Sequence, residues 1–462
     1  MTTPILDFVQ DYVYSNAARF HMPGHKGRCL LANHSMERGY PIDYRQTPEA
    51  LDITEIEGAD VLYRASGIIS ESEANASKLF GTAKTKYSTE GSSLSIRAML
   101  YLIALYAKSE GRKPLILAGR NAHHAFMSAA ALTDMEVEWL YPLQQESMIS
   151  CEITAEQLQE YLAGMPEKPV AVYITSPDYL GNISDIEGLA RVCHSQDILL
   201  LVDNAHGAYL QFLKESRHPI ALGADMCCDS AHKTLPVLTG GGYLHISRTA
   251  PDIFAKQAER AMSLFASTSP SYLILQSLDA VNEYLEEEYI KRQQMFIPIV
   301  DAFKKKLKDI GFLLVGDEPL KLTIAPKSYG YRGQELAVVL ADQNMVCEFA
   351  DPDFVVLMLT PEITRREFER LEQVLCSLPQ KTAISEKPPK LAAGERVCSI
   401  REALFAPSKE LPVRACLGEV LASASVACPP AIPIVVCGER IDEAAIRCFE
   451  YYGVDHCSVI TE

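Results

Sequence analysis

Five branched aliphatic residues in a row, Ile198-Leu199-Leu200-Leu201-Val202, end without transition on Asp203-Asn204-Ala205-His206-Gly207. A short run that is apolar on both alternating faces reads as a strand buried on both sides, which needs a sheet covered by helices above and below. Comparable runs occur at Leu115-Ile116-Leu117-Ala118, Val137-Glu138-Trp139-Leu140 and Val170-Ala171-Val172-Tyr173-Ile174, separated by helix-length stretches. That alternation predicts a largely parallel α/β sheet. Ligands bind such sheets at the carboxyl ends of the strands, where Asp203 stands. An aspartate ending a strand also serves as a helix N-cap, and on the sequence both readings are open.

Lys233 follows Asp203 by 30 residues (233 − 203), room for one crossover unit. It lies in Asp229-Ser230-Ala231-His232-Lys233-Thr234, ahead of Gly240-Gly241-Gly242 and the apolar Tyr243-Leu244-His245-Ile246. A lysine in such a loop is ordinarily a solvated surface residue. With hydroxyls and an imidazole beside it, after an acid-bearing strand, it suits an aldehyde cofactor. Its amine can condense with pyridoxal phosphate, and a carboxylate such as Asp203 keeps the pyridine nitrogen protonated. A third stretch, Thr89-Glu90-Gly91-Ser92-Ser93-Leu94-Ser95, leads into the helix-like Ile96-Arg97-Ala98-Met99-Leu100-Tyr101-Leu102. Gly91, Ser92 and Ser93 at a helix start offer amide and hydroxyl donors to a phosphate, although serine there is also an ordinary cap. The order phosphate loop, acid, lysine gives the three stretches their joint meaning.

These stretches resemble the Orn/Lys/Arg decarboxylase family, pyridoxal-phosphate enzymes of the aspartate aminotransferase fold (fold type I). The other carrying motifs are Phe20-His21-Met22-Pro23-Gly24-His25-Lys26-Gly27, Arg120-Asn121-Ala122-His123, Ser176-Pro177-Asp178-Tyr179-Leu180-Gly181, Ser267-Thr268-Ser269-Pro270-Ser271-Tyr272 and Pro429-Pro430-Ala431-Ile432-Pro433. The resemblance covers nearly the whole chain. It implies an α/β fold: a transferase-like large domain with a mainly parallel seven-stranded sheet, plus a smaller α+β C-terminal domain. The expected divisions are an arm over 1–45, the cofactor-binding domain over 46–290, a small α/β subdomain over 291–384 and a C-terminal decarboxylase domain over 385–462. It also implies a short form without the N-terminal wing domain of longer relatives.

The activity implied is decarboxylation of a basic L-amino acid (arginine, lysine or ornithine) to a polyamine-pathway amine and carbon dioxide. Lys233, His232 and Asp203 are the expected catalytic residues. Gly91, Ser92, Ser93, Ser230, His232 and Lys233 would hold pyridoxal 5'-phosphate, with His123 stacked on its ring and His206 near its other edge. Thr268 would reach the phosphate of a neighbouring subunit, so a homodimer or dimer-based oligomer with shared sites is expected. Glu439 and Glu348 are the candidates for the distal cation of the substrate; for each, a solvated surface carboxylate is the alternative. Two positions depart from the family pattern: Glu90 sits where relatives often carry Asn, which puts an acid beside a phosphate loop, and Cys437 replaces a common Pro near Glu439. An aminotransferase or lyase on the same fold would keep the same cofactor residues, and a non-catalytic homologue would not need them.

Composition narrows the partners. The net charge of −17 argues against nucleic acid and anionic membranes. No apolar run reaches the ~18 residues of a membrane span, and the N-terminus lacks a signal peptide's basic and apolar regions. Thirteen cysteines, odd in number and irregular in spacing, read as reduced thiols of a cytoplasmic protein rather than disulfides or zinc ligands, so no metal is expected. His21 and His25 flank a Pro-Gly, which removes the helical spacing a two-histidine metal site would use. Helices are expected at 7–13, 72–80 and 365–375, and one long helix over 272–307.

Overall fold

The computed structural model describes residues 1–28, 45, 47–142, 147–390, 393–424 and 431–461. Residues 29–44 of the expected arm, and Pro429 and Pro430, lie outside the described residues. Seven strands form the main sheet: β1 (Lys84–Ser88), β2 (Leu115–Gly119), β3 (Glu136–Leu140), β4 (Ala171–Thr175), β5 (Leu199–Asp203), β6 (Met226–Asp229) and β7 (Gly242–Ile246). Their order is β1-β7-β6-β5-β4-β2-β3. The strands β2 to β5 pair in parallel, whereas β7 runs antiparallel to β1 and β6. The fold is thus the mainly parallel α/β sheet that the apolar runs predict. Leu200, Leu201 and Val202 of β5 are wholly buried, each contributing roughly 1.5–3 kcal/mol by leaving water. β3, at the sheet edge, keeps Glu138 exposed and Val137 buried, as expected of a strand with one covered face.

The chain divides into two compact units, Met1–Leu102 with Gly207–Ile290, and Ile103–His206 with Lys291–Glu462. The boundary expected at 290 coincides with one cut; the cuts after 102 and 206 fall inside the expected large domain. Helix Ile68–Phe80 of the first unit precedes β1, and the 19-residue helix Gly91–Ser109, which runs past that unit's cut after Leu102, follows it. In the second, helices His124–Thr133, Ala155–Gly164 and Ile186–His194 connect the parallel strands. Their starts are written in side chains: Thr154 and Gln157 form a reciprocal capping box, and Asp185 accepts from the Gly188 amide. The second unit also holds a four-stranded antiparallel sheet: β8 (Leu313–Val315), β9 (Lys321–Ala325), β10 (Phe349–Ala350) and β11 (Val355–Met358), in the order β10-β11-β9-β8. Its tail carries β12 (Ser408–Pro412), β13 (His456–Ile460) and the helix Glu443–Tyr451, around a core that includes Leu421, Phe449 and Val459. No helix among the described residues is long and apolar enough to cross a membrane.

The long helix expected over 272–307 is present and carries one π-helical turn. Helix Tyr272–Tyr284 passes through a π-helical turn at Leu285–Tyr289 before Ile290–Asp309, which contains Pro298. Leu285 and Tyr289, four residues apart, are buried, and the three glutamates between them are exposed.

Helix Pro4–Tyr14 is tied to the first unit by a carboxylate. Asp279 Oδ2 accepts from the amides of Ile5 (2.9 Å) and Leu6 (3.0 Å), and Oδ1 accepts from the Ser72 hydroxyl. The carboxylate therefore satisfies two helix-start amides that have no partner within their own helix. Burial pushes the Asp279 carboxyl up to about 6, the hydrogen bonds from Ser72 and the two amides opposing it. A carboxyl whose folded value is raised contributes stability that is fully present below its unfolded value and lost as pH rises through the folded one. We expect Asp279→Ala to cost about 1–3 kcal/mol by stranding the amides. The difference in urea stability between wild type and Asp279→Asn should shrink as pH rises from about 4 to about 6; a difference constant with pH would remove Asp279 from the titration.

Candidate functional site

In the first unit, β1 ends at Ser88 and the chain turns sharply into helix Gly91–Ser109. Gly91 holds a left-handed φ of +66°, open to glycine at no steric cost. Three hydrogen bonds brace the turn: the Gly91 amide to the Gly240 carbonyl (2.7 Å), the Ser88 hydroxyl to the Gly91 carbonyl (2.8 Å), and the Ser230 hydroxyl to the Ser92 hydroxyl (2.8 Å). β7 presses on this loop. A Cβ on Gly242 would stand 2.9 Å from both the Asp229 carbonyl oxygen and the Gly91 carbonyl carbon, and 3.2 Å from the Ser92 nitrogen.

His232 and Lys233 lie in the turn Ala231–Thr234 that follows β6, both half-buried. His232 Nδ1 is 2.8 Å from the Gly241 carbonyl oxygen, which can only accept. The hydrogen is therefore on Nδ1 and the lone pair on Nε2. A Cβ on Gly91 would lie 3.6 Å from His232 Cε1, so the imidazole stands beside the start of the helix. Ser230 thus meets Ser92, His232 stands beside Gly91, and Lys233 follows His232 in the same turn.

Glu90 turns away from this loop. Its Oε1 accepts from the Ser267 amide (2.8 Å), fixing the segment that carries the exposed Thr268. The departure at Glu90 is a brace between two loops.

Behind the lysine turn lies a cluster the sequence did not reveal. Asp229, wholly buried, accepts on Oδ2 from Nε2 of His218 (3.1 Å) and of His245 (3.2 Å), while His245 Nδ1 meets Thr85 Oγ1 at 2.9 Å. Burial pushes the carboxyl up, but the two imidazoles and their hydrogen bonds outweigh it and hold Asp229 well below the usual carboxylate range. Burial also pushes the His245 imidazole down, keeping the ring neutral. The ligand atoms of these three residues lie within 4.8 Å of one another. The hydrogen bonds account for that closeness without an ion, and the clamp fixes the strand end from which Lys233 departs.

In the second unit, Asp203 ends β5 and is 2% exposed. Its Oδ2 accepts from the Tyr173 hydroxyl (3.1 Å) and its Oδ1 from the Ala205 amide (3.2 Å). The next helical turn is a 3-10 turn, Ala208–Phe212, capped at Gly207, so Asp203 is not an N-cap. His206 is buried, with the Tyr179 ring edge-on at 5.1 Å. The Tyr179 hydroxyl donates to Glu348 Oε1 (3.1 Å), which links that candidate to His206. His123 caps helix His124–Thr133, its Nδ1 accepting from the Ala125 amide (3.2 Å), so the neutral ring carries its hydrogen on Nε2. Glu439 sits in a cavity of about 180 Å³ with Trp139, Tyr141 and Arg396, and its Oε2 accepts from the Val436 amide (2.9 Å). That carboxylate braces its own loop. Tyr173, which the sequence reading passed over, had one available signal: a hydroxyl-bearing ring in an otherwise aliphatic strand beside the strand that ends on Asp203.

The donor sets fit pyridoxal phosphate. The first unit supplies a helix start rich in amides and hydroxyls, an imidazole and an amine; the second supplies a buried carboxylate with two neutral donors and a half-exposed imidazole. Gly242→Ala is expected to weaken pyridoxal phosphate binding at least about fivefold, since overpacking at about 1–3 kcal/mol would fall on the loop. Titration of the cofactor absorbance, with circular dichroism to confirm the fold, measures it. An affinity within about twofold would show that the loop yields freely.

Comparison with known proteins converges on one family. Residues 3–315 match the profile of the Orn/Lys/Arg decarboxylase major domain. The chain is 27% identical over 463 residues to an arginine decarboxylase of Halalkalibacterium halodurans, covering 96% of this chain and 91% of that one. An arginine decarboxylase of Bacillus subtilis is 26% identical, with 96% and 92% covered. In fold, the chain is similar to a lysine decarboxylase of Francisella novicida, with a TM-score of 0.79 at 17% identity over 99% of this chain and 81% of that one. The chain belongs to the Orn/Lys/Arg decarboxylase family and is a pyridoxal-phosphate-dependent decarboxylase of a basic amino acid.

Proposed function

We propose that these residues serve pyridoxal phosphate and its amino-acid substrate, and that the preferred substrate is arginine. The reading rests chiefly on Asp203, a buried strand-end carboxylate with two neutral donors, in a chain whose Lys233 turn adjoins a phosphate-type helix start. The names of the arginine decarboxylases similar to this chain favour arginine over lysine and ornithine.

Pyridoxal phosphate, when bound, supplies the electron sink for the pair left as the carboxylate departs as carbon dioxide. Lys233 holds the aldehyde until the substrate amine takes its place. Asp203 keeps the pyridine nitrogen protonated, and the Tyr173 and Ala205 donors keep Asp203 ionised in a buried setting. His123 would stack on the cofactor ring, and Gly91, Ser92, Ser93 and Ser230 would receive its phosphate. Lys233, or His232 once its Nε2 has first taken up a proton, delivers a proton to the α-carbon. Residues that orient the substrate carboxylate would select its loss over loss of a proton. Of the two candidate carboxylates for the distal cation, Glu348 has the contacts toward His206, whereas Glu439 is occupied within its loop.

We further propose a homodimer with shared sites. Thr268 is exposed on a segment held by Glu90, and Tyr14, Phe20, Met22 and Leu264 of the same unit expose large apolar surfaces that a second copy would cover. A cytoplasmic role in polyamine formation completes the reading; the described cysteines are thiols, mostly buried, as expected of a reducing compartment.

Carbon dioxide release from arginine, lysine and ornithine on one preparation tests the substrate, and faster turnover of lysine would replace arginine. Lys233→Ala is expected to abolish turnover and the fixation of cofactor by borohydride; covalent trapping at another lysine would overturn the assignment. Asp203→Asn should still be fixed by borohydride yet lose orders of magnitude in kcat, because an amide does not hold the pyridinium proton. Mixing inactive Lys233→Ala with an inactive Thr268→Ala variant should restore part of the activity, and full turnover by a monomer would exclude shared sites.

A further inference from the structure

Within the second unit, a buried ion pair stands next to His206. Lys321, the first residue of β9, is 3% exposed, and Glu318 is 2% exposed. The Lys321 ammonium lies 2.8 Å from Glu318 Oε2, 3.2 Å from the Asp178 carbonyl oxygen and 3.3 Å from His206 Nδ1. An ammonium has three hydrogens to donate and accepts none. Three acceptors surround this one, so His206 Nδ1 meets it with a lone pair, and the neutral ring carries its hydrogen on Nε2.

The arrangement is held from several sides. The turn before β9 closes on the 176–183 loop: the amides of Asp317 and Glu318 both donate to the Gly181 carbonyl (2.9 Å each), the Thr323 hydroxyl donates to the Leu180 carbonyl (2.7 Å), and the Ile183 amide donates to Asp317 Oδ1 (2.9 Å). Gly181, at φ +89°, leaves space for the lysine stem; a Cβ there would stand 3.1 Å from Lys321 Cδ. Tyr179 from the same loop sets its ring edge-on against His206. Burying an ion pair is unfavourable unless its hydrogens and lone pairs are used. A hydrophobic pair would fill the same space without fixing which ring nitrogen of His206 is protonated.

We propose that Lys321, anchored by Glu318, is a positioning residue that locks His206 in the Nε2–H tautomer, so that His206 donates a hydrogen bond to an anionic oxygen at the carboxyl end of β5. The inference rests on the reading of that strand end as the reaction site. The oxygen belongs either to the ring hydroxyl of the cofactor or to the substrate carboxylate.

Lys321→Met alone would strand a buried carboxylate and endanger folding. The test therefore uses Glu318→Gln combined with Lys321→Met, which removes both charges at nearly constant volume. In protein labelled with ¹⁵N-histidine and free of cofactor, the His206 signal (assigned by its loss in His206→Gln) should show a bare Nδ1 and a protonated Nε2. In the double variant that preference should be lost or reversed. A proton on Nδ1 in wild type, or an unchanged tautomer in the folded double variant, overturns the proposal. On the loaded enzyme, the loss of an aligned donor should lower kcat/KM roughly tenfold. A shifted cofactor absorption band without substrate assigns the oxygen to the cofactor; an unchanged band with a raised KM assigns it to the substrate. Band, kcat and KM all within about twofold of wild type would overturn it. Wild-type protein that shows the tautomer but releases no carbon dioxide would instead sink the decarboxylase reading, so the two failures are separable.

Discussion

A carboxylate ending a doubly buried strand is the constraint on which the second unit is built. β5 places Leu200, Leu201 and Val202 wholly out of water and then sets Asp203, 2% exposed, at its last position. An ionised group so placed needs donors. Tyr173 from the adjacent β4 and the Ala205 amide meet that need, and neither brings a compensating positive charge.

Around the two strand ends, histidines are given distinct protonation patterns by fixed neighbours. The Gly241 carbonyl assigns a hydrogen to Nδ1 of His232 and leaves the lone pair on Nε2. At His206 the Lys321 ammonium does the reverse. At His218 and His245 the Asp229 carboxylate takes hydrogens from both Nε2 atoms. Each pattern follows from a neighbour that can only donate or only accept. Chemistry that needs one imidazole to exchange a proton and another to hold still calls for this kind of separation.

The small antiparallel sheet has a role beyond its own core. β9 and the turn before it grip the 176–183 loop through backbone carbonyls and the Lys321 ammonium. A change in that sheet would therefore reach Tyr179 and His206 through the 176–183 loop.

The sequence by itself determined the parallel strands, the start of the phosphate-type helix at Gly91, and the positions of Asp203, His232 and Lys233. Those features are local: an aliphatic run, a glycine followed by serines, a lysine after small polar residues. The family followed from their order. It also showed Glu90 as a departure without showing what the side chain does, because its partner Ser267 is 177 residues away. Tertiary structure alone decided that Asp203 is no N-cap, that Tyr173 serves it, that Asp229 is clamped by two histidines, and that Lys321 faces His206 across 115 residues of chain. It also set a π-helical turn at Leu285–Tyr289 within the helix expected over 272–307. Spacing along the chain shows which residues share a strand or a turn. Which lone pair meets which hydrogen depends on contacts between distant segments, and only the folded chain brings those segments together.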